Sequence, residues 1–380
     1  MMKLRLSLLT VLLFFSMSKL LASDIIEIVP ITETIVLLHF DDGSVDHADY
    51  LESKCAETFV NIPLDTTAVL QPNVFTISSI DDGAFGTFSP SIISRKSKIM
   101  DLARPFCSDR ADIYDHWVYL HLPSGKKFSR NKNYTVSWSS STLNTSVSFA
   151  TFEFDEFNVY SDAVHVNQIG MNSSASKKYG YLSAWLGIDK DGTIHRLELD
   201  DLAGNAFHIV DAVDRSNIVF SGTIQQRTDF ETDFSPDTKR TDFIRDRING
   251  NYAGSDVWEC DFSGLSASGE YVLVVEGMGC SFPFKMSNNA YADPFYLVTR
   301  MLYLQRAGIE MPASNFGQWA RPRSLHFDDV DIKLINVRSI DQKGETGKDP
   351  DVASKVIGDF DTYGWYRDAG DWDGYVRHLP

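Results

Sequence analysis

The stretch "TSVSFATFEFDEFNVYSDAVHVNQIGM" (residues 145–171) decides how the chain is organised. Its first half alternates apolar and polar residues with a period of two. That spacing places Val147, Phe149, Phe152 and Phe154 where a sheet face must be covered. A short polar step, Ser161-Asp162, interrupts the pattern, and a new strand and a glycine follow. One β-sandwich is therefore expected to end near Tyr160, with a second β domain opening at 161.

The same reading extends toward the N-terminus. "TIVLLHFDDGSVDH" (34–47) reads as a strand, an Asp42-Gly43 turn and a second strand. "HWVYLHLPSGKKF" (116–128) alternates and turns at Pro123-Ser124-Gly125, and "NYTVSWSSS" (133–141) alternates again. Only "SRKSKIMDLA" (94–103) suggests a short helical piece. Residues 24–160 are thus expected to form an antiparallel β-sandwich of unassigned role. Trp117 and Trp138 can be read as sugar-stacking platforms, but core packing is the preferred role for both.

Toward the C-terminus, "KKYGYLSAWLGIDKDGTIHRLELDD" (177–201) gives a strand, a turn at 189–192 and another strand. Asp189 and Asp191 could serve a structural calcium. The further acidic ligands of a calcium loop are missing, so a plain hairpin turn is preferred. "SDVWECDFSGLSASGEYVLVVEGMGCSFPFKM" (255–286) supplies three more strands. After Met286 the period changes. Phe295, Val298, Met301, Leu302 and Leu304 follow helical spacing, with Asp293 as cap, Pro294 in the first turn and Gly308 at the stop. The expected division is 24–160, 161–287 and a helical 288–380.

Composition narrows the function classes. The chain holds 52 acidic against 35 basic residues, a formal charge of −17. Nucleic acid and anionic membrane surfaces are poor partners for such a chain. The N-terminus places Lys3 and Arg5 before an apolar run and small residues at 22–23, the pattern of a secretory signal over 1–23. A secreted or periplasmic monomer is expected, with no later membrane span. Export favours disulfides, and proximity in sequence pairs Cys55 with Cys107 and Cys260 with Cys280. Zinc is disfavoured because no Cys-x-x-Cys or suitably spaced His accompanies them.

The chain ends in "GWYRDAGDWDGYVRHLP" (364–380). Asp368 and Asp371 stand three residues apart, which on a helical turn brings both carboxylates to one side. Two such carboxylates can orient a water and take its proton. Trp365, Tyr366, Trp372 and Tyr375 offer flat faces suited to sugar rings. Spacing alone equally describes a solvated acidic turn with its aromatics tucked into a core.

"GWYRDAGDWDGY" resembles the aspartate motif of glycoside hydrolase family 9, the inverting cellulase-type enzymes, in which a Gly-Gly-Trp-Tyr-Asp-Ala-Gly-Asp string is usual. "VHVNQIGM" (164–171) is similar to the first strand of the immunoglobulin-like module that precedes many catalytic domains of that family. "DVWECDFSGL" and "SGEYVLVVEG" (256–277) resemble that module's last strands. "FYLVTRMLYLQRAGIEM" (295–311) resembles the first helix of the catalytic (α/α)6 toroid. The resemblance spans about 161–380. It implies Asp371 as catalytic base, Asp368 as the helper on the same water, and Trp365 and Tyr366 as motif neighbours. The sequence departs from the family's pattern at Arg367, inserted between Tyr366 and Asp368, and at Tyr363, which replaces the first Gly. A cation beside Asp368 favours its ionised form.

The resemblance further implies a general acid and sugar-binding His and Arg motifs downstream of this string. A ring of twelve helices takes on the order of 200 residues, more than 288–380 can supply. The expected function is accordingly that of an N-terminal part of a β-1,4-glucan hydrolase, holding a base without its acid. A secreted, non-catalytic carbohydrate-binding or spacer protein built of two β-sandwiches is the alternative.

Overall fold

The computed structural model describes residues 23–47, 55–199, 204–228, 255–306 and 309–323, together with the backbone of four short strands farther on. The signal-like segment lies outside the described residues. By compactness the chain divides into residues 1–288 and 289–380.

The first unit is built from antiparallel strands. In chain order they begin with β1 (Asp24–Thr32), β2 (Ile35–Asp41), β3 (Gly43–Asp46), β4 (Thr58–Asn61), β5 (Phe75–Ser78) and β6 (Thr87–Phe88). Next come the long β7 (Ile92–Ala103) and β8 (Ala111–His121), then β9 (Lys132–Trp138), the one-turn α1 (Ser140–Leu143) and β10 (Phe149–Phe154). The second half adds β11 (Val164–His165), β12 (Tyr179–Leu182), β13 (Trp185–Asp189), β14 (Ile194–Arg196), β15 (Ala206–Asp211) and β16 (Ile218–Thr223). It closes with β17 (Gln225–Thr228), β18 (Val257–Asp261), β19 (Gly269–Val275), β20 (Gly279–Cys280) and β21 (Phe284–Met286).

A six-stranded sheet in the order β1-β2-β8-β7-β13-β14 runs through this unit. Its strands come from both sides of residue 160. On one face, Val36, Leu38, Phe40, Val118 and Leu120 pack against the sheet β10-β9-β5-β6, whose Phe75, Tyr134, Val136, Trp138 and Phe154 complete a core. On the other face, Leu37 and Tyr119 join a second core. Sheets β11-β12-β18-β17 and β16-β15-β19-β20 supply the rest of it, through Leu182, Trp258, Phe207, Leu273 and Val275. The run Val36-Leu37-Leu38 of β2 and the run Val118-Tyr119-Leu120 of β8 are unbroken apolar stretches because both faces of the sheet are covered there.

Several local expectations are corrected. The 94–103 stretch is strand, not helix: β7 pairs with β8 from Ile92 to Ala103, interrupted by one bulge between Ile99 and Asp101. Long-range pairing overrides a weak local preference. Asp42-Gly43 does not turn a hairpin. The chain passes from β2 into β3, which pairs with β4. Gly43 is needed there because a Cβ would lie 2.0 Å from the Val60 carbonyl oxygen. In β10, Phe152 and Phe154 face inward, whereas Phe149, and Val147 just before the strand, are exposed. The odd and even positions belong to opposite faces of one strand, and only one face meets the core. The turn at 123–126 is as expected, closed by the Lys126 amide donating to the Pro123 carbonyl at 3.0 Å.

One disulfide is present, Cys55–Cys107. The second expected bridge is not formed, and Cys260 and Cys280 are free, buried thiols. Cys260 lies on β18 and faces the large core. Cys280 lies opposite Val274 in another sheet and packs with Val210, Val272 and Val274 on the face turned away from that core. A sheet layer thus separates two thiols that stand close in sequence.

The second unit begins with α2 (Ala292–Leu304), followed by α3 (Ala313–Phe316). Asp293 is inside the first turn rather than capping it; the cap position is Tyr291, without a side-chain bond. An acidic group there still suits the helix dipole. Gly308 lies outside the described residues. Of the expected stripe on α2, Phe295, Val298, Met301 and Leu302 are exposed, Phe295 at 74% and Met301 at 52%, and Leu304 is half-buried. Short strand pairs β22 (Asn336–Arg338) with β23 (Val356–Asp359), and β24 (Tyr366–Arg367) with β25 (Val376–Arg377), complete the description. The described part of the chain is mainly β, and no helical toroid is seen among the described residues.

Candidate functional site

The expected catalytic pair, Asp368 and Asp371, lies outside the described residues, as do Trp365, Trp372 and Tyr375. Tyr366 enters only through its backbone, which pairs with Arg377 while Arg367 pairs with Val376.

Of the two tryptophans weighed for sugar stacking, Trp138 is buried, and its indole N–H donates to Thr145 Oγ1 at 2.8 Å. Its ring meets Phe40 edge-on at 5.7 Å. It is a core residue, as preferred from the sequence. Trp117 is half-buried. One face stacks on His39 at 4.5 Å, and Lys96 Nζ sits 5.7 Å from the ring centroid. His39 is in turn fixed by Asp115, 2.8 Å from its Nε2.

The acidic turn at 189–192 is occupied by its own chain. Asp189 Oδ1 accepts the amides of Asp191 and Thr193, each at 2.9 Å, and Oδ2 meets His195 Nε2 at 2.9 Å. The His195 bond and these amides hold the Asp189 carboxyl down at about 2. Asp191 pairs with Lys190. The turn is a hairpin whose carboxylate is saturated by local donors. Next to it His121, against Ser94 Oγ and the His195 ring, is pushed down to about 4 by burial and by the neighbouring imidazole.

A titratable cluster that the sequence did not signal lies beside the disulfide. His47, Glu57, Ile99, Met100, Asp101, Leu102 and Pro105 line a hollow of about 540 Å³. His47 Nδ1 is 2.6 Å from Glu57 Oε1, and Nε2 is 3.0 Å from Asp101 Oδ1. Glu57 Oε2 accepts the Arg104 amide at 2.6 Å, and Arg104 Nε donates to the Glu57 carbonyl at 2.8 Å. Bonding to Glu57 and then Asp101 raises the His47 pKa. The Arg104 amide and then His47 lower that of Glu57. An imidazolium with both N–H groups engaged has no lone pair for general-base work. The cluster ties β3 and β4 to the disulfide-bearing turn, where Arg104 itself takes a left-handed φ of 50°. Forty-four residues separate His47 from the nearer end of β7 in sequence, so no local spacing could reveal it.

No family model matches the chain. Endoglucanase D of Acetivibrio thermocellus is 30% identical over 159 residues, 42% of this chain and 19% of that protein. The chain thus spans about a fifth of the length of the curated relatives it matches. Among solved structures, a metagenome-derived glycoside hydrolase family 9 endoglucanase aligns at a TM-score of 0.33 and 21% identity, over 55% of this chain and 30% of that one. A Bacteroides ovatus family 9 protein aligns at 0.32 and 18%, over 56% and 29%. The chain resembles family 9 endoglucanases over part of its length.

Proposed function

We propose that this chain belongs to an inverting glycoside hydrolase that cleaves β-1,4-linked glucan, and that it contributes the β-rich N-terminal region and the base-bearing segment. The observation that carries the reading is the string Trp365–Asp371 with its paired aspartates. The 30% identity to Endoglucanase D over 159 residues supports it.

In this reading Asp371 takes the proton of a water attacking the anomeric carbon, and Asp368 orients the same water. Inversion needs room for that water between base and acid, carboxyls roughly 6.5–9.5 Å apart. Trp365, Tyr366, Trp372 and Tyr375 stack on the sugar rings. The residues from 161 to 287 play the part of an immunoglobulin-like module, and 288 onward opens an (α/α)6 domain. The N-terminal signal sends the protein out of the cytosol, where Cys55–Cys107 persists.

Proton NMR of the first product formed from soluble β-glucan tests the stereochemistry. The α-anomer is expected at early times. A β-anomer first would remove the inverting assignment. The non-catalytic alternative, carbohydrate binding alone, has one feature in its favour: a surface hollow walled by indole rings on the first unit.

A further inference from the structure

Lys96, Ser97, Lys98 and Met100 of β7, Trp117 of β8 and Trp185 of β13 enclose a hollow of about 470 Å³. That size is within the range of ligand pockets, roughly 300–1,000 Å³. It lies on the six-stranded sheet where the β13–β14 hairpin joins β7 through Ile188 and Asp189 only. The hairpin thereby carries Trp185 to the rim, 41% exposed. No other ring pairs with Trp185 among the described residues, so its face is open to a flat apolar partner.

The wall carries one sign of charge. Two lysines and no carboxylate line the hollow, in a chain with a formal charge of −17. Lys96 is half-buried against the faces of Trp117 and Tyr119, at 5.7 and 5.3 Å from their centroids. It makes no hydrogen bond or ion pair among the described residues. Asp162 acts on it only through space. His39, fixed by Asp115, backs the far face of Trp117 and keeps that ring from turning. A partly desolvated ammonium without a contacting anion is poorly satisfied. An anionic group entering beside Trp185 would satisfy it.

We propose that this hollow binds a sugar ring carrying a carboxylate, a uronic acid unit, with Trp185 stacking on the ring and Lys96 and Lys98 facing the carboxylate. The anionic preference stands on the lysines and the absence of acidic lining. The sugar class rests on the proposed glucan activity.

A matched pair of disaccharides tests it: cellobiouronic acid against cellobiose, which differ by one carboxylate in place of a hydroxymethyl group. Both are titrated calorimetrically into the full chain. The acid is expected to bind at least about tenfold more tightly than cellobiose, and the advantage should shrink at high salt. Trp185→Ala should weaken binding of the acid about tenfold, Trp185→Phe should restore most of it, and Lys98→Ala should narrow the gap between the two sugars. Equal affinities, no binding of the acid, or an unchanged affinity in Trp185→Ala would overturn the proposal. Tight binding of the acid in a protein with no glucan hydrolysis would leave the site standing and remove only the catalytic reading.

Discussion

His47 is held from both sides by carboxylates, and that fixes how the clamp responds to pH. Its folded-state pKa is raised above the ordinary 6.5, so its contribution is complete below 6.5 and is lost as pH rises through the folded value. Glu57 is lowered from 4.5, so its contribution is complete above 4.5 and is lost as pH falls through the folded value. The difference in melting temperature between the native protein and His47→Gln should therefore be largest between 4.5 and 6.5 and narrow on the alkaline side. A difference independent of pH would contradict the clamp. His121 works in the opposite sense. Held neutral with a value near 4, it favours the fold fully above 6.5 and costs stability as pH falls toward 4. A His121→Phe variant should flatten the acid limb of the unfolding free energy, by on the order of 3 kcal/mol at its extreme. Denaturant titrations between pH 7 and 4 measure it. Neither effect is visible in the sequence. Single histidines carry no periodic signal, and their partners arrive through strand pairing and the loops it positions.

Among the elements, the β13–β14 hairpin depends on one glycine. Gly187 has φ 84°, and a Cβ there would fall 2.2 Å from the Arg95 carbonyl oxygen. Gly187→Ala should cost more than about 2 kcal/mol and speed hydrogen exchange across residues 185–196 ahead of the rest of the unit. Uniform exchange would show that the hairpin is not separately anchored. The Cys55–Cys107 bridge closes a 52-residue separation. Its removal in Cys107→Ala should cost about 4 kcal/mol by loop entropy, seen as a lower urea midpoint. Strands with strict alternation were legible: β9 and the inward side of β10 follow from Tyr134, Val136, Phe152 and Phe154. Strand β7 was not, because its Arg-Lys-Ser-Lys run has no apolar period of its own and becomes a strand only by pairing with β8. The mispairing of Cys260 with Cys280 has the same origin. Nearness in sequence does not say which face of a strand a thiol occupies, and here the two face different layers.

For the molecule as a whole, the β-rich character of the first 288 residues and the change to helix near 292 were both readable from period alone. The shared six-stranded sheet was not. The strands on either side of Ser161-Asp162 carry complete patterns of their own, and nothing local says that Trp185–Arg196 will extend a sheet begun at Asp24. The exposed apolar residues of α2 are a helix face without cover among the described residues. The catalytic reading rests on the aspartate pair near the C-terminus, and one substitution addresses it most directly. In the gene product that carries this chain, Asp371→Asn should reduce reducing-sugar release from a soluble β-1,4-glucan by at least about 100-fold while leaving the unfolding midpoint unchanged. Turnover at the native rate in that variant would contradict the assignment of Asp371 as the base that readies water for sugar cleavage.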